Sequence, residues 1–285
     1  MNVFTRYFRS RGYSLRLFDI DLLKAQSLAE KYDCAWSDSF TSTVSDMGVV
    51  LLCTPIKDTP RIIQDITPHL KVGSILCEVS SLKMGTIPAL KAAKGYGIKP
   101  LSVHPMFGPD VKEIEGQTII IVSILDQVEE TNLAGILFPD TKRVVVDAET
   151  HDQCMASILS LPYFMNLAFA RALPPEKLSL MRELAGTTFT VQLAVTQSIV
   201  GESPELIESL INDNVFSGRL LNRFIDESRH LRRLLRNDPR GFRSLCESLS
   251  GSVMSESDSS SARELRNWLF EVMKTRTRAK VIRLS

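Results

Sequence analysis

The chain is short of net charge, of patterned cysteine and of long hydrophobic runs. Its 34 Lys and Arg against 33 Asp and Glu leave a formal net charge of +1, so no overall field draws it to nucleic acid or to an anionic membrane. No uninterrupted apolar run approaches the roughly 20 residues of a membrane span. The N-terminus, MNVFTRYFRSRGYSLRLFD, carries arginines but no continuous apolar core, so no secretory signal is expected. The cysteines (Cys34, Cys53, Cys77, Cys154 and Cys246) are odd in number, scattered, and never at metal-ligand spacing. They support neither a zinc site nor a disulfide framework. Cys53 and Cys77 lie in apolar strand-like runs, as reduced core thiols of a cytoplasmic protein would. The glycine fingerprint GxGxxG is also missing.

What is present is a globular composition, 44% hydrophobic and 24% charged, over 285 residues, enough for two domains of ordinary size. The first half alternates strand and helix. Leu15 to Phe18 reads as a short strand ending at Asp19, and Asp21 as the N-cap of a helix through Lys31. Gly48 to Cys53 is apolar throughout, as suits a strand buried on both faces, and stops at Thr54-Pro55. A helix with Ile62, Ile63, Ile66 and Leu70 follows. Ser74 to Val79, a helix around Ile87 to Ala93, then Ile98 to Val103, Thr118 to Val122 and Arg143 to Val146 complete the series. This spacing predicts an α/β fold, a Rossmann-like doubly wound parallel sheet, over residues 1–147. Dinucleotide binding is the default use of that fold, although fold alone does not establish it.

The chain opens on Val3 to Arg11, which reads as the helix that normally follows the phosphate-binding turn. The first strand and that turn, roughly 10 to 12 residues, are therefore expected to be absent. A misassigned start, a truncated gene fragment or genuine loss would each account for it. From Glu149 onward the strand pattern vanishes, and residues 148–285 read as an all-helical domain. His151 to Leu173 is stopped by Pro174-Pro175. Glu176 to Val200 is interrupted near Gly186. Ser203-Pro204-Glu205 has the N-cap and N1 proline of a third helix. Leu220 to Leu235 is amphipathic and basic, Gly251 to Ser261 reads as a Ser-rich loop, and a last helix runs from Ala262 to Lys274. These helices are too apolar to stand alone in water, so burial between two protomers is expected.

Asp19 falls where a carboxylate accepts hydrogen bonds from an adenosine ribose and repels a 2′-phosphate, which favours NAD over NADP. The plainer reading is a solvated turn aspartate. At the strand ends, Thr54, Pro55 and Ser80 are candidates for lining a cofactor. His104 ends an apolar segment and enters the Pro/Gly-rich run Ser102-Val103-His104-Pro105-Met106-Phe107-Gly108-Pro109-Asp110. Ligands of open α/β sheets bind at the carboxyl ends of strands, so a titratable ring there can reach them.

That nine-residue run resembles the catalytic loop of the prephenate dehydrogenase family. Val79-Ser80-Ser81-Leu82-Lys83 is similar to the family's turn near the nicotinamide, and Thr150-His151-Asp152-Gln153 to the opening of its dimerisation domain. Leu193-Ala194-Val195 and Ser203-Pro204-Glu205-Leu206 resemble its later helices. The resemblance implies an NAD-dependent enzyme, a homodimer of two-domain chains, that oxidises and decarboxylates prephenate or arogenate. It gives His104 the polarising or general-base role toward the substrate hydroxyl and Ser81 an orienting role, with a strand-end cap as the alternative for Ser81. A dicarboxylate substrate needs cations, yet Ser198 stands where the family commonly has an arginine, and Tyr163 where it has a pocket histidine. A lost bidentate contact weakens binding by about 2–5 kcal/mol unless another cation replaces it. Lys83, Arg171, Arg219 and Arg223 are the candidates. An oxidoreductase of the same fold acting on a different acid, and a non-catalytic dimeric ligand-binding relative, remain as alternatives.

Overall fold

The computed structural model describes residues 2–253 and 258–282 and divides the chain into two compact units. The first is Met1–Ala156 with the return segment Asn212–Val215; the second is Ser157–Ile211 with Phe216–Ser285. The division falls nine residues beyond the expected 147/148 boundary.

The first unit opens on α1 (Asn2–Ser10), then β1 (Arg16–Leu17), α2 (Leu22–Tyr32), β2 (Ala35–Trp36), α3 (Phe40–Val44), β3 (Val49–Leu52), α4 (Thr59–Ile66) and β4 (Ile75–Glu78). It continues through α5 (Ile87–Ala93), β5 (Lys99–Pro105), β6 (Thr118–Val122), α6 (Gln127–Leu137), β7 (Lys142–Val146) and α7 (Ala148–Met155). Asp21 caps α2 as expected, accepting the Lys24 N–H. Each strand in the expected series forms within one or two residues of its expected span, and β2 is an addition to it.

β3 to β7 make one five-stranded sheet in sequential order, while β1 and β2 pair with each other in a separate parallel ribbon. The Rossmann-like class therefore stands, with one departure from a wholly parallel sheet. β5 and β6 are antiparallel, His104 facing Ile120. The connecting segment 106–117 contains Phe107-Gly108-Pro109 and forms no helix, so the chain doubles back instead of crossing over. Gly116 eases that reversal at a φ of 72°, a conformation that favours glycine.

Side chains on successive strand residues point to opposite faces, and both faces are covered. Cys77, Leu101, Val103, Ile119 and Ile121 pack with Val3, Phe4, Tyr7 and Phe8 of α1 and with Phe138. Leu76, Val122 and Ile98 pack on the other side with Ile63 and Ile66 of α4 and Leu90 of α5. The aromatic rings of α1 surround Phe138, with centroids 5.7 Å away for Phe8, 6.0 Å for Tyr7 and 6.1 Å for Phe4. That packing fixes α1 against the sheet beside the ends of β3, β4 and β5.

The second unit is helical: α8 (Leu161–Ala172), α9 (Leu178–Leu184), α10 (Thr187–Val200), α11 (Pro204–Glu208), α12 (Ser217–Asn237), α13 (Pro239–Val253) and α14 (Asp258–Ile282). Ser203 caps α11 through the Leu206 N–H. The Gly251–Ser261 loop is corrected where it is described: Gly251 to Val253 end α13 and Asp258 to Ser261 begin α14, because serine tolerates helix when propensity is weak and neighbours are good formers. Residues 254–257 of that segment lie outside the described ones. Two π-helical turns, Ala156–Ser160 and Ser209–Asp213, meet where the Ser160 hydroxyl donates to the Leu210 carbonyl at 2.6 Å. Asn166 of α8 accepts from Gln192 at 2.8 Å and Thr196 at 2.7 Å, both on α10.

The helical stretch Ala148–Ala172 is 25 residues long and reaches a mean hydropathy of 1.2, enough by length and composition to cross a membrane. The sequence hides this because no single run is uninterrupted. Its first turns carry His151 and Asp152, both buried and hydrogen-bonded.

Candidate active site

β3, β4 and β5 end side by side, and their ends open into a cleft of about 220 Å³ lined by Cys53, Thr54, Val79, Ser81, His104 and Phe107, with Val3 and Phe4 of α1 on its rim. Parallel neighbours bring these ends level: Glu78 pairs with Ser102 and Leu52 with Glu78. His104 lies two residues past Ser102 and is almost fully buried, its ring forming one wall.

Beneath the cleft is a fully buried ion pair. The Lys83 ammonium donates to Glu78 Oε1 at 2.7 Å and to the Val103 carbonyl at 2.7 Å. Glu78 also accepts the Ser102 hydroxyl and, through Oε2, the Ser80 N–H at 2.7 Å. Burial pushes Lys83 below the ordinary lysine range, against the pull of Glu78, which favours the charged form. Such a pair holds because hydrogen bonds beyond the ion pair itself, from Ser102 and the Ser80 N–H and to the Val103 carbonyl, offset the loss of water.

Beside it runs a second chain of contacts. His104 Nδ1 meets His151 Nε2 at 2.9 Å, and His151 Nδ1 meets Asp152 Oδ1 at 2.7 Å. Asp152 in turn accepts the Lys83 N–H at 2.9 Å and the Met84 N–H at 2.9 Å. The Asn214 side-chain amide donates to the Asp152 carbonyl at 2.7 Å. Burial, and then the neighbouring Lys83 and His151, push His104 well below the ordinary imidazole range. The ring is therefore neutral at neutral pH, with one nitrogen free to accept a hydrogen bond.

The expected site residues fall into distinct places. Thr54, Ser81 and His104 share the cleft, though the Thr54 hydroxyl is already hydrogen-bonded to that of Thr59 at 2.8 Å. Pro55 is exposed beyond the cleft. Ser80 is buried, and its hydroxyl has no partner among the described residues. Asp19 follows β1, half-buried, and accepts the Asp21 N–H at 3.0 Å. Lys83 is a correction: its ammonium is sealed between Glu78 and Val103, because it follows directly on the β4 turn and points back into the sheet, so it cannot meet a substrate. Tyr163 and Ser198 lie on α8 and α10 of the helical unit. Burial, with Glu202 nearby, pushes the Tyr163 phenol up. Ser198 is exposed, as are Arg171, Arg219 and Arg223, which remain as cations on that unit.

Three residues escaped the sequence reading: Glu78, His151 and Asp152. Glu78 is a carboxylate at the end of an apolar strand, five residues before a lysine, and that signal was available. The meeting of His151 with His104, 47 residues apart, had no local signal.

Two family descriptions match the chain. Residues 4–119 match the prephenate dehydrogenase nucleotide-binding domain, and residues 147–250 its dimerization domain. A probable arogenate/prephenate dehydrogenase of Methanocaldococcus jannaschii is 21% identical over 84% of this chain and 55% of its own length. A T-protein of Enterobacter agglomerans is 27% identical over 64% of this chain and 48% of its own. The chain thus spans about half the length of these curated relatives. Among solved structures, an arogenate dehydrogenase of Synechocystis superposes with a TM-score of 0.66 at 20% identity, covering 88% of this chain and 94% of that one. A prephenate dehydrogenase of A. aeolicus, in complex with hydroxyphenyl propionate and NAD+, gives 0.72 at 17% identity, covering 89% and 93%. At these identities the solved structures speak for the fold.

Proposed function

The chain belongs to the prephenate dehydrogenase family, and from that premise we propose that it is an NAD-dependent oxidoreductase that oxidises and decarboxylates prephenate or arogenate. The observation that carries this reading is His104: a buried, neutral ring at the end of β5, in a cleft it shares with Ser81. Bound NAD would supply the hydride acceptor for the carbon bearing the ring hydroxyl. His104 accepts the hydrogen bond, and then the proton, of that hydroxyl as it becomes a ketone; the carboxylate leaves as carbon dioxide, its electron pair aromatises the ring, and the former ketone oxygen takes the proton back from His104 as a phenol. Ser81 orients the hydroxyl or the imidazole from the same wall. Good placement of such a base supplies typically 10²–10⁴-fold in rate.

The residues fit the cofactor at two points. Asp19 lies two residues past β1, and its carboxylate, which accepts one backbone N–H, has capacity left to take ribose hydroxyls and to discriminate against a 2′-phosphate; the unpartnered Ser80 hydroxyl offers a buried polar group just past the end of β4. Thr54 and Pro55 belong to the neighbouring strand end. The enzyme is a homodimer joined through its helical unit, and its five free cysteines suit the cytoplasm.

A second reading rests on Ser198 and Tyr163: a neutral, exposed serine in place of a carboxylate-binding arginine favours a different acid substrate, handled by the same chemistry. Steady-state assays at 340 nm with prephenate, arogenate and related acids separate the two. The expected outcome is reduction of NAD with prephenate or arogenate, with His104→Asn lowering turnover by 10²–10⁴-fold while cofactor affinity is retained. Turnover by His104→Asn equal to that of the parent would remove this histidine from the mechanism.

A further inference from the structure

We propose that His151 is a positioning residue that fixes which nitrogen of His104 carries the proton. The proposal rests on the dehydrogenase reading for its purpose, but its geometry stands independently of it. Asp152 receives only donors: the backbone N–H groups of Lys83 and Met84, and His151. The His151 proton shared with that carboxylate therefore sits on Nδ1, and when the ring carries that one proton its Nε2 is a bare lone pair. That lone pair faces His104 Nδ1 at 2.9 Å, and two lone pairs cannot meet there, so His104 must carry its own proton on Nδ1. The remaining nitrogen, Nε2, is left as an acceptor on a ring that lines the cleft.

The arrangement matters because a neutral imidazole offers one donor and one acceptor, and the tautomer decides which faces the ligand. With the proton on Nε2, His104 would present a donor to a substrate hydroxyl that has to lose its proton. His151 and Asp152 remove that option before any ligand arrives. They also hold the ring in one orientation, since His151 is wholly buried and Asp152 is anchored to the turn after β4. The same logic governs triads in which a buried carboxylate orients a histidine, where the wrong tautomer costs roughly 10⁴-fold in turnover. Here the message passes through a second imidazole. The nearby charges, Lys83 and Glu78, satisfy one another and leave the histidine pair to Asp152.

Histidine labelled with nitrogen-15 tests this in the ligand-free protein, where only His69, His104, His151 and His230 contribute signals. In the parent, His104 is expected as the Nδ1–H tautomer with a bare Nε2. His151→Phe removes the acceptor and should move the proton to Nε2, lowering turnover by 10²–10⁴-fold. His151→Gln offers an amide oxygen in its place and should retain the tautomer and most of the turnover, which a merely space-filling role would not distinguish from Phe. An Nε2–H tautomer in the parent, or an unchanged tautomer in a folded His151→Phe, overturns the proposal. Absence of dehydrogenase activity with the expected tautomer intact would count against the proposed reaction alone.

Discussion

The two units differ most in what they bury. In the sheet unit, polar side chains are buried and partnered: Glu78, Lys83, Ser102, His104, His151 and Asp152 each have a named hydrogen bond, and the Lys83 side chain is 0% exposed. In the helical unit, apolar side chains stand in the open. Leu184 is 76% exposed and Leu180 53%, with Val195 and Val200 near half, and Val200 also lines a groove of about 340 Å³ with Leu173, Leu178 and Leu193. The sheet unit leaves single apolar side chains open too, such as Ile20 and Leu23, but the helical unit adds an apolar groove to them, a surface of the kind that a second protomer covers. The difference follows from burial: an unpaired polar group inside costs far more than an apolar group outside.

The strongest way to break the comparison is to unpair the sheet unit. Glu78→Leu strands the Lys83 ammonium in a fully buried site, and removing one partner of such a pair typically costs about 3–5 kcal/mol. Urea unfolding should show that loss as a lowered midpoint. Combining it with Lys83→Met should recover much of it, because the charge goes too, although the Ser102 hydroxyl and Ser80 N–H remain without their acceptor. A single variant as stable as the parent would mean the pair is not holding the strand ends together.

A smaller effect is expected from charging the helical unit. Light scattering of the parent should give a dimer mass at micromolar concentration. Leu184→Glu puts a carboxylate where apolar burial is expected; forfeiting one leucine's burial, about 2 kcal/mol, corresponds to roughly 30-fold weaker association. The monomer's unfolding curve should change little, since Leu184 packs on little within its own protomer. A parent that is monomeric at these concentrations would show that the open apolar side chains have another purpose.

Legibility in the sequence follows the same division. Strands β3 to β6 were readable because apolar runs buried on both faces have one interpretation, and α2, α8 and α11 because Asp21, Pro174-Pro175 and Ser203-Pro204 mark their ends. The antiparallel turn of β6 was not readable, since a strand's direction depends on its partner and leaves no local trace. His104 and Ser81 could be singled out by the strand-end loops that hold them. Lys83 was misplaced for a physical reason: a lysine near a site is usually read as solvent-facing, and only the Glu78 carboxylate across the β4 turn shows that it is turned inward. His151 and Asp152 were visible as a segment, but their use depends on a contact between distant parts of the chain.

The smallest expected effect sharpens the contrast inside the sheet unit itself. Asp19 is a polar group there that is not locked in: it accepts one backbone N–H, from Asp21, and is half-buried. Asp19→Ser keeps an acceptor for that bond, so stability should change by no more than about 0.5 kcal/mol. Cofactor choice should move instead. A carboxylate about 4 Å from a phosphate charge in water is repelled by about 1 kcal/mol, so its removal should narrow the preference for NAD over NADP by roughly fivefold. Fluorescence titration of parent and variant with both cofactors measures this directly. Tighter NADP binding by the parent would overturn the ribose assignment, and a large loss of stability in the variant would place Asp19 among the interlocked groups instead.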